Sequence, residues 1–334
     1  MTKYIFPLIA AALVGCDSKP KSTSTNPGDL RFPPVPTETL APLISEFHNY
    51  TGNHEKTLEV FVGSHGYLTS GIEYAQSIDF GTKTKLEYLA DAYFNRDITQ
   101  INLEGMPNGK GFADSYTITF LGGIQKHSSN DEMADNHSLV QFLESIPTVQ
   151  ERFNFAHTFS ADLAAHHVNP ESAIRYIVGR DTLDPIGAED WDAYEKMVAL
   201  DFKMGLEERI PGNMIDTIDL YINAKDFLSP EQKEDAKILQ SKFLTAMDEY
   251  VHLHELRGTV MTKNAANRLL DSDERVGILV MGNAHTAEAI DALHSYEDRL
   301  NYRIVGPKDS LDKIQTIRQH YEPLVRLISE LDFE

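Results

Sequence analysis

The sequence predicts an α/β protein: a mostly parallel sheet flanked by helices, with a large helical insertion at about 105–265. Two observations carry this. Residues 57–63 (TLEVFVG), the amphipathic stretch 83–95 and residues 98–104 (ITQINLE) follow one another as strand, helix and strand, the spacing of a βαβ unit whose strands run parallel. Later, the unbroken apolar run Ile278-Leu279-Val280-Met281 reads as a buried strand, with a helix and a further strand close behind it.

The chain opens MTKYIFPLIAAALVGC. Lys3 precedes an apolar run from 4 to 14, shorter than the roughly 20 residues that span a bilayer, and suited to the h-region of a secretory signal over 1–15. The small residue before Cys16 resembles a bacterial lipobox. That resemblance implies cleavage before Cys16, a thioether-linked diacylglycerol and usually a third acyl chain, palmitate among them. Cys16 is the only cysteine, so no intrachain disulfide competes for it. Two or more acyl chains anchor a protein stably to a membrane. In enterobacterial lipoproteins an Asp after the cysteine favours the inner membrane, so Asp17 points to its periplasmic face within the cell envelope. Residues 16–37 are rich in Ser, Thr, Pro and Lys, cannot bury a core and form a lipidated flexible tether with a span of about 25 Å. Residues 38–334 then form one domain.

Within that domain, LAPLISEFHNY (40–50) reads as a short helix, and 57–63 as a strand that ends at Ser64-His65-Gly66. Leu86, Leu89, Ala90 and Tyr93 make the apolar stripe of the helix at 83–95, and Ile98, Ile101 and Leu103 the apolar positions of the strand at 98–104. Helical spacing continues through 131–146, 149–167, 169–179, 188–206 and 230–270, the last long enough for two helices or more. The sheet resumes at 275–282, followed by a helix over 285–296, a strand over 301–305 and a closing helix over 309–331. Helices thus occupy the middle and strands the two ends, an arrangement in which the insertion can roof a site.

The formal net charge is −21, from 30 basic and 51 acidic residues, and there is no basic patch. Such a chain repels phosphate backbones, which excludes nucleic acid as a partner. Three strand ends carry polar side chains: Gly63-Ser64-His65-Gly66, Asn102-Leu103-Glu104-Gly105 and Gly282-Asn283-Ala284-His285. Ligands of open parallel sheets sit beyond the carboxyl ends of the strands, so His65, Glu104 and His285 are expected at one rim. They can bind a divalent metal; without one, an imidazole can act as general base with the carboxylate orienting it. The spacing matches no short metal motif, and no Gly-x-Ser-x-Gly elbow is present. His166-His167 and the pair His252 and His254 read as solvated surface, because positions two apart on a helix do not share a face. Asn108 to Gly111 (NGKG) lacks the leading Gly and the Ser/Thr of a phosphate loop and reads as a turn.

Residues 255–293, ELRGTVMTKNAANRLLDSDERVGILVMGNAHTAEAIDAL, resemble the C-terminal signature of a superfamily that includes the erythromycin esterase-like proteins, the haem-binding ChaN-like lipoproteins and the TraB/Tiki proteins. The likeness falls on Arg257, Met261, Asn264 and Gly282-x-x-His285. Upstream, VFVGSHGYLTSG at His65, INLEG at Glu104 and the Gly-x-Glu-Asp segment in 186–197 are similar to further family motifs, so it spans about 57–305. Gly63-Ser64-His65 is one residue shorter than the Gly-x-x-His of TraB/Tiki proteins. The resemblance implies a membrane-tethered hydrolase of an ester or amide, small or peptidic, acting directly or through a metal. His65, Glu104 and His285 would activate water, Asn283 would donate to an oxyanion, and Arg257 and Asn264 would hold substrate. It equally implies a ChaN-like lipoprotein that binds haem or iron without turnover. An interaction module that has kept the fold and lost the chemistry is the third reading.

Overall fold

Residues 278–281 are buried on both sides, as in a strand covered by helices on both faces of its sheet. The computed structural model describes residues 44–63, 72–110, 145–158, 185–206, 212–308 and 316–333. Six strands form one sheet: β1 (Ile44–Tyr50), β2 (Thr57–Gly63), β3 (Gln100–Pro107), β4 (Ile186–Glu189), β5 (Val276–Gly282) and β6 (Asn301–Pro307). Their order is β1-β6-β2-β5-β3-β4. β1 runs antiparallel to β6, and every other pairing is parallel. The α-helices are α1 (Ile72–Arg96), α2 (Val149–Thr158), α3 (Trp191–Met204), α4 (Met214–Asn223), α5 (Pro230–Asp271), α6 (Thr286–His294) and α7 (Ile317–Ser329). The fold is therefore α/β with a mostly parallel sheet. Among the described residues, no helix is long and apolar enough to cross a membrane.

The period-2 alternation of the strands sorts the two faces. Leu58, Val60, Val62, Leu279 and Met281 join Met261, Ala265, Ala266 and Leu269 of α5 and Ala289 and Leu293 of α6 in one core. On the other face, Phe61 lies 4.8 Å from the Tyr88 ring of α1. Beside it the buried Glu59 carboxylate accepts from Arg96 (2.8 Å) and Arg303 (2.6 and 2.9 Å), and from the Tyr88 hydroxyl. A second apolar cluster joins Met204, Met214, Ile218, Phe243, Met247, Tyr250, Val251, Ile317 and Ile328, from α3, α4, α5 and α7.

Four expectations are corrected. Within the stretch 40–50, residues 44–50 are not helical: they form the edge strand β1. Its register breaks between Glu46 and His48, and this bulge hid the alternation. Tyr50 stacks on Tyr302 across the strands at 5.7 Å, a contact with a residue 252 positions away (302 − 50) that no local pattern reveals. The helical stretch 188–206 contains the end of strand β4, so the middle of the chain also contributes to the sheet. Residues 230–270 are one helix, not two or more. Ser229 and Gln232 form a capping box with Pro230 in the first turn, and no proline interrupts the 42 residues. Lys56 Nζ closes the far end by donating to the carbonyls of Leu269 (2.7 Å) and Leu270 (3.1 Å). Residues 261–269 of this helix, with α6, belong to the layer that covers β2 and β5. The helix expected over 285–296 begins as a 3₁₀ turn, Asn283–His285, and continues as α6. The turn expected at NGKG is present at Asn108 and Gly109, with Gly109 in the left-handed region at φ 74°. The lipidation signal at Cys16, the turn bearing His65, His166-His167 and most of the stretches 131–146 and 159–179 lie outside the described residues.

Candidate functional site at the carboxyl rim of the sheet

Parallel pairing puts the carboxyl ends of β2, β5, β3 and β4 at one rim. Gly63 registers with Gly282 and Leu103 with Val280, so the segments carrying Glu104 and His285 leave the sheet as neighbours. His65, two residues past Gly63, lies outside the described residues.

Glu104 follows the last regular pairing of β3. The β3–β4 register shifts between Leu103 and Pro107, and Gly105 takes φ 74°, which costs glycine nothing. Bulges of this kind re-aim a side chain. One Glu104 oxygen accepts the Gly282 N–H at 2.5 Å; the other lies 3.2 Å from Arg257 Nη2 and 3.3 Å from His285 Nε2. Glu104 therefore touches the end of β5 and the helix behind it at once.

Arg257 is fully engaged. Its Nε donates to Glu189 Oε1 at 2.9 Å, its Nη2 to Glu189 Oε2 at 2.8 Å, and its Nη1 to Met197 Sδ at 2.9 Å. The guanidinium also lies 4.9 Å from the centre of the Tyr194 ring. Burial alone would favour losing its proton, but Glu189 above all, then Glu104 and Tyr194, hold it protonated. The side chain expected to hold substrate is 3% exposed and faces two carboxylates, Glu189 and Glu104. Asn264 likewise spends its amide on the Ala188 carbonyl at 2.9 Å, one residue before Glu189. One turn further on, Arg268 donates to Gly187 O at 3.1 Å. Together they pin β4 to α5. Gly187 must be glycine here, because a Cβ would lie 2.1 Å from the Pro107 carbonyl oxygen.

His285 is almost wholly buried. Its ring stacks on that of His254 at 3.9 Å between centroids and 20° between planes. Gly258 makes this approach possible: a Cβ there would lie 2.9 Å from His285 Nδ1 and 3.0 Å from Glu288 Cβ. Burial raises the Glu288 carboxyl above its ordinary value, and its Oε2 has no hydrogen-bond partner among the described residues. Asn283, half-buried, heads the 3₁₀ turn, and its carbonyl accepts from Thr286 Oγ1 at 2.6 Å.

The reading of the sequence missed two members of this cluster. Glu189 was placed inside a helical stretch. His252 is exposed as expected, but His254, expected to be solvated as well, is buried: His254, Arg257, Gly258 and Met261 recur at helical spacing and share the face of α5 that meets the sheet. That spacing was the available signal.

The metal expectation includes His65, which lies outside the described residues. Among the described residues, no three His, Cys, Asp or Glu side chains are grouped to hold a metal ion. The Glu104 oxygen nearest His285 already faces a guanidinium at 3.2 Å, which opposes a cation at that position. The described donors do not make a metal centre.

Comparison with family models, with curated proteins and with solved structures finds no match to this chain.

Proposed function

We propose that the protein is a membrane-tethered hydrolase of ester or amide bonds, taking a small-molecule or peptidic substrate at the carboxyl rim of its sheet. One observation carries the reading. Of four interlocked ionisable groups, only Glu104 reaches the surface to any extent: its side chain is 13% exposed, against 3% for Arg257, 1% for His285 and none for Glu189. A partly exposed carboxylate held by a buried scaffold is preorganised to take a proton from an attacking water. The water oxygen then bonds to the carbonyl carbon, and the proton passes to the leaving group as its bond to carbon breaks. His285, 3.3 Å behind Glu104, orients the carboxylate. This reverses the order expected from sequence, in which the imidazole led. Asn283, at the head of the same turn, would donate to the developing oxyanion. Lipidation of Cys16 would hold the domain at the membrane surface. The likeness to the erythromycin esterase-like proteins supports the same chemistry.

The test is hydrolysis of a panel of esters and amides by the purified chain, with absorbance and elemental analysis of the same preparation. Glu104→Gln should lower the rate on any accepted substrate by about 10²- to 10⁴-fold while leaving the circular dichroism spectrum unchanged. Stoichiometric hemin binding with a Soret band, and no hydrolysis, would replace this reading with the ChaN-like one. Hydrolysis that stops on chelation would mean that a metal takes part.

A further inference from the structure

We infer that His254 is a positioning residue for the rim cluster: it fixes the ring of His285 so that His285 holds its proton on Nε2, toward Glu104. The consequence for catalysis rests on the reading of Glu104 given above; the placement of the proton does not. Three observations support it. First, the two rings are parallel to within 20° and 3.9 Å apart, so rotation of the His285 ring about its Cβ–Cγ bond would drive its edge into His254. Second, Gly258 closes on the Nδ1 edge of the ring, where even a methyl group would lie 2.9 Å from Nδ1. The face and the Nδ1 edge of the ring are thus both bounded by one helix, at positions 254 and 258, four residues apart and on one face. Third, the two ring nitrogens differ in surroundings. Nε2 lies 3.3 Å from a carboxylate oxygen, whereas Nδ1 is buried and has no hydrogen-bond partner among the described residues. A proton on Nδ1 would be a buried donor without an acceptor, which folded proteins avoid. On Nε2 it faces Glu104.

A flat ring, not the chemistry of an imidazole, is what this task needs at position 254. The inference therefore separates two substitutions of similar bulk. His254→Phe keeps an aromatic face; His254→Leu fills the space without one.

The experiment uses the full chain in detergent with ¹⁵N-labelled histidine, and His285 is assigned by its loss in His285→Gln. Long-range ¹H–¹⁵N correlation at neutral pH should show protonated Nε2 and bare Nδ1 for His285. His254→Phe should preserve this pattern, and His254→Leu should move both nitrogens toward averaged values. A wild-type ring protonated on Nδ1 overturns the inference. So does a His254→Leu spectrum identical to wild type, which would leave His254 as filler. The readout is tautomer rather than turnover, so its failure is distinct from that of the hydrolase reading, which Glu104→Gln tests.

Discussion

At the scale of single residues, the rim cluster makes strong demands because its charges are buried. Arg257 neutralises Glu189, which is 1% exposed, and steadies Glu104. Arg257→Met leaves the Glu189 carboxylate in the interior without its partner. The expected cost is roughly 3–5 kcal/mol, the range for breaking one side of a buried pair, read as a lower urea midpoint at unchanged slope. A change below about 1 kcal/mol would mean that the pair is hydrated and that Glu104 has another support. Gly258→Ala sets two effects against each other. Helix propensity favours alanine by about 1 kcal/mol. The new methyl would lie 2.9 Å from His285 Nδ1 and 3.0 Å from Glu288 Cβ, and overpacking of this kind costs about 1–3 kcal/mol. Net destabilisation is expected by thermal unfolding, and a variant more stable than wild type would show that α5 and α6 can part. The chemistry of the rim was only partly legible in the sequence. Glu104 and His285 stood out because each follows an apolar strand. Glu189 did not, because β4 is four residues long and opens directly into α3.

At the scale of elements, α5 organises the molecule. Its residues 243–251 belong to a helical cluster with α3, α4 and α7, its residues 261–269 to the sheet core, and His254, Arg257 and Gly258 lie between. The site therefore sits where the two cores meet. The start of this helix is set by the Ser229 capping box, so Ser229→Ala should cost about 1 kcal/mol in chemical denaturation without changing the rim. β2 and β5 were legible from their apolar runs, since a strand covered on both faces has no reason to alternate, and β3 from the spaced apolar residues that follow the helix. β1 was not. Its bulge broke the period, and its apolar residues at 40, 43, 44 and 47 also fit a helix. The length of α5 misled in the opposite sense, because few soluble helices run so far without a break.

At the scale of the whole molecule, two long-range electrostatic effects follow. Glu59 ties β2 to α1 and β6. Burial would raise its carboxyl, but Arg96, Arg303 and the Tyr88 hydroxyl outweigh burial and hold it below its ordinary value. A carboxylate lowered on folding contributes stability that is complete above its unfolded value and is lost as pH falls through the folded one. The stability gap between wild type and Glu59→Gln should therefore be largest near neutral pH and shrink on acidification; a gap independent of pH would remove the ion pairs from the explanation. The formal charge of −21 adds general self-repulsion. Raising NaCl from about 10 mM to about 150 mM shortens the screening length from about 30 Å to about 8 Å, so the unfolding temperature should rise. A fall would place the balance with the specific pairs instead. The sequence by itself determined the α/β class, the parallel strands and two of the rim residues, because burial on both faces and βαβ spacing are local patterns written in consecutive residues. Only the tertiary structure decided that Glu189 and His254 belong with them, that Arg257 faces inward and that Glu104 keeps a partly exposed side chain where His285 is buried. Those relations join residues from 31 to 181 positions apart (285 − 254 and 285 − 104), and they exist only once the sheet register and the face of α5 have set the distances between side chains.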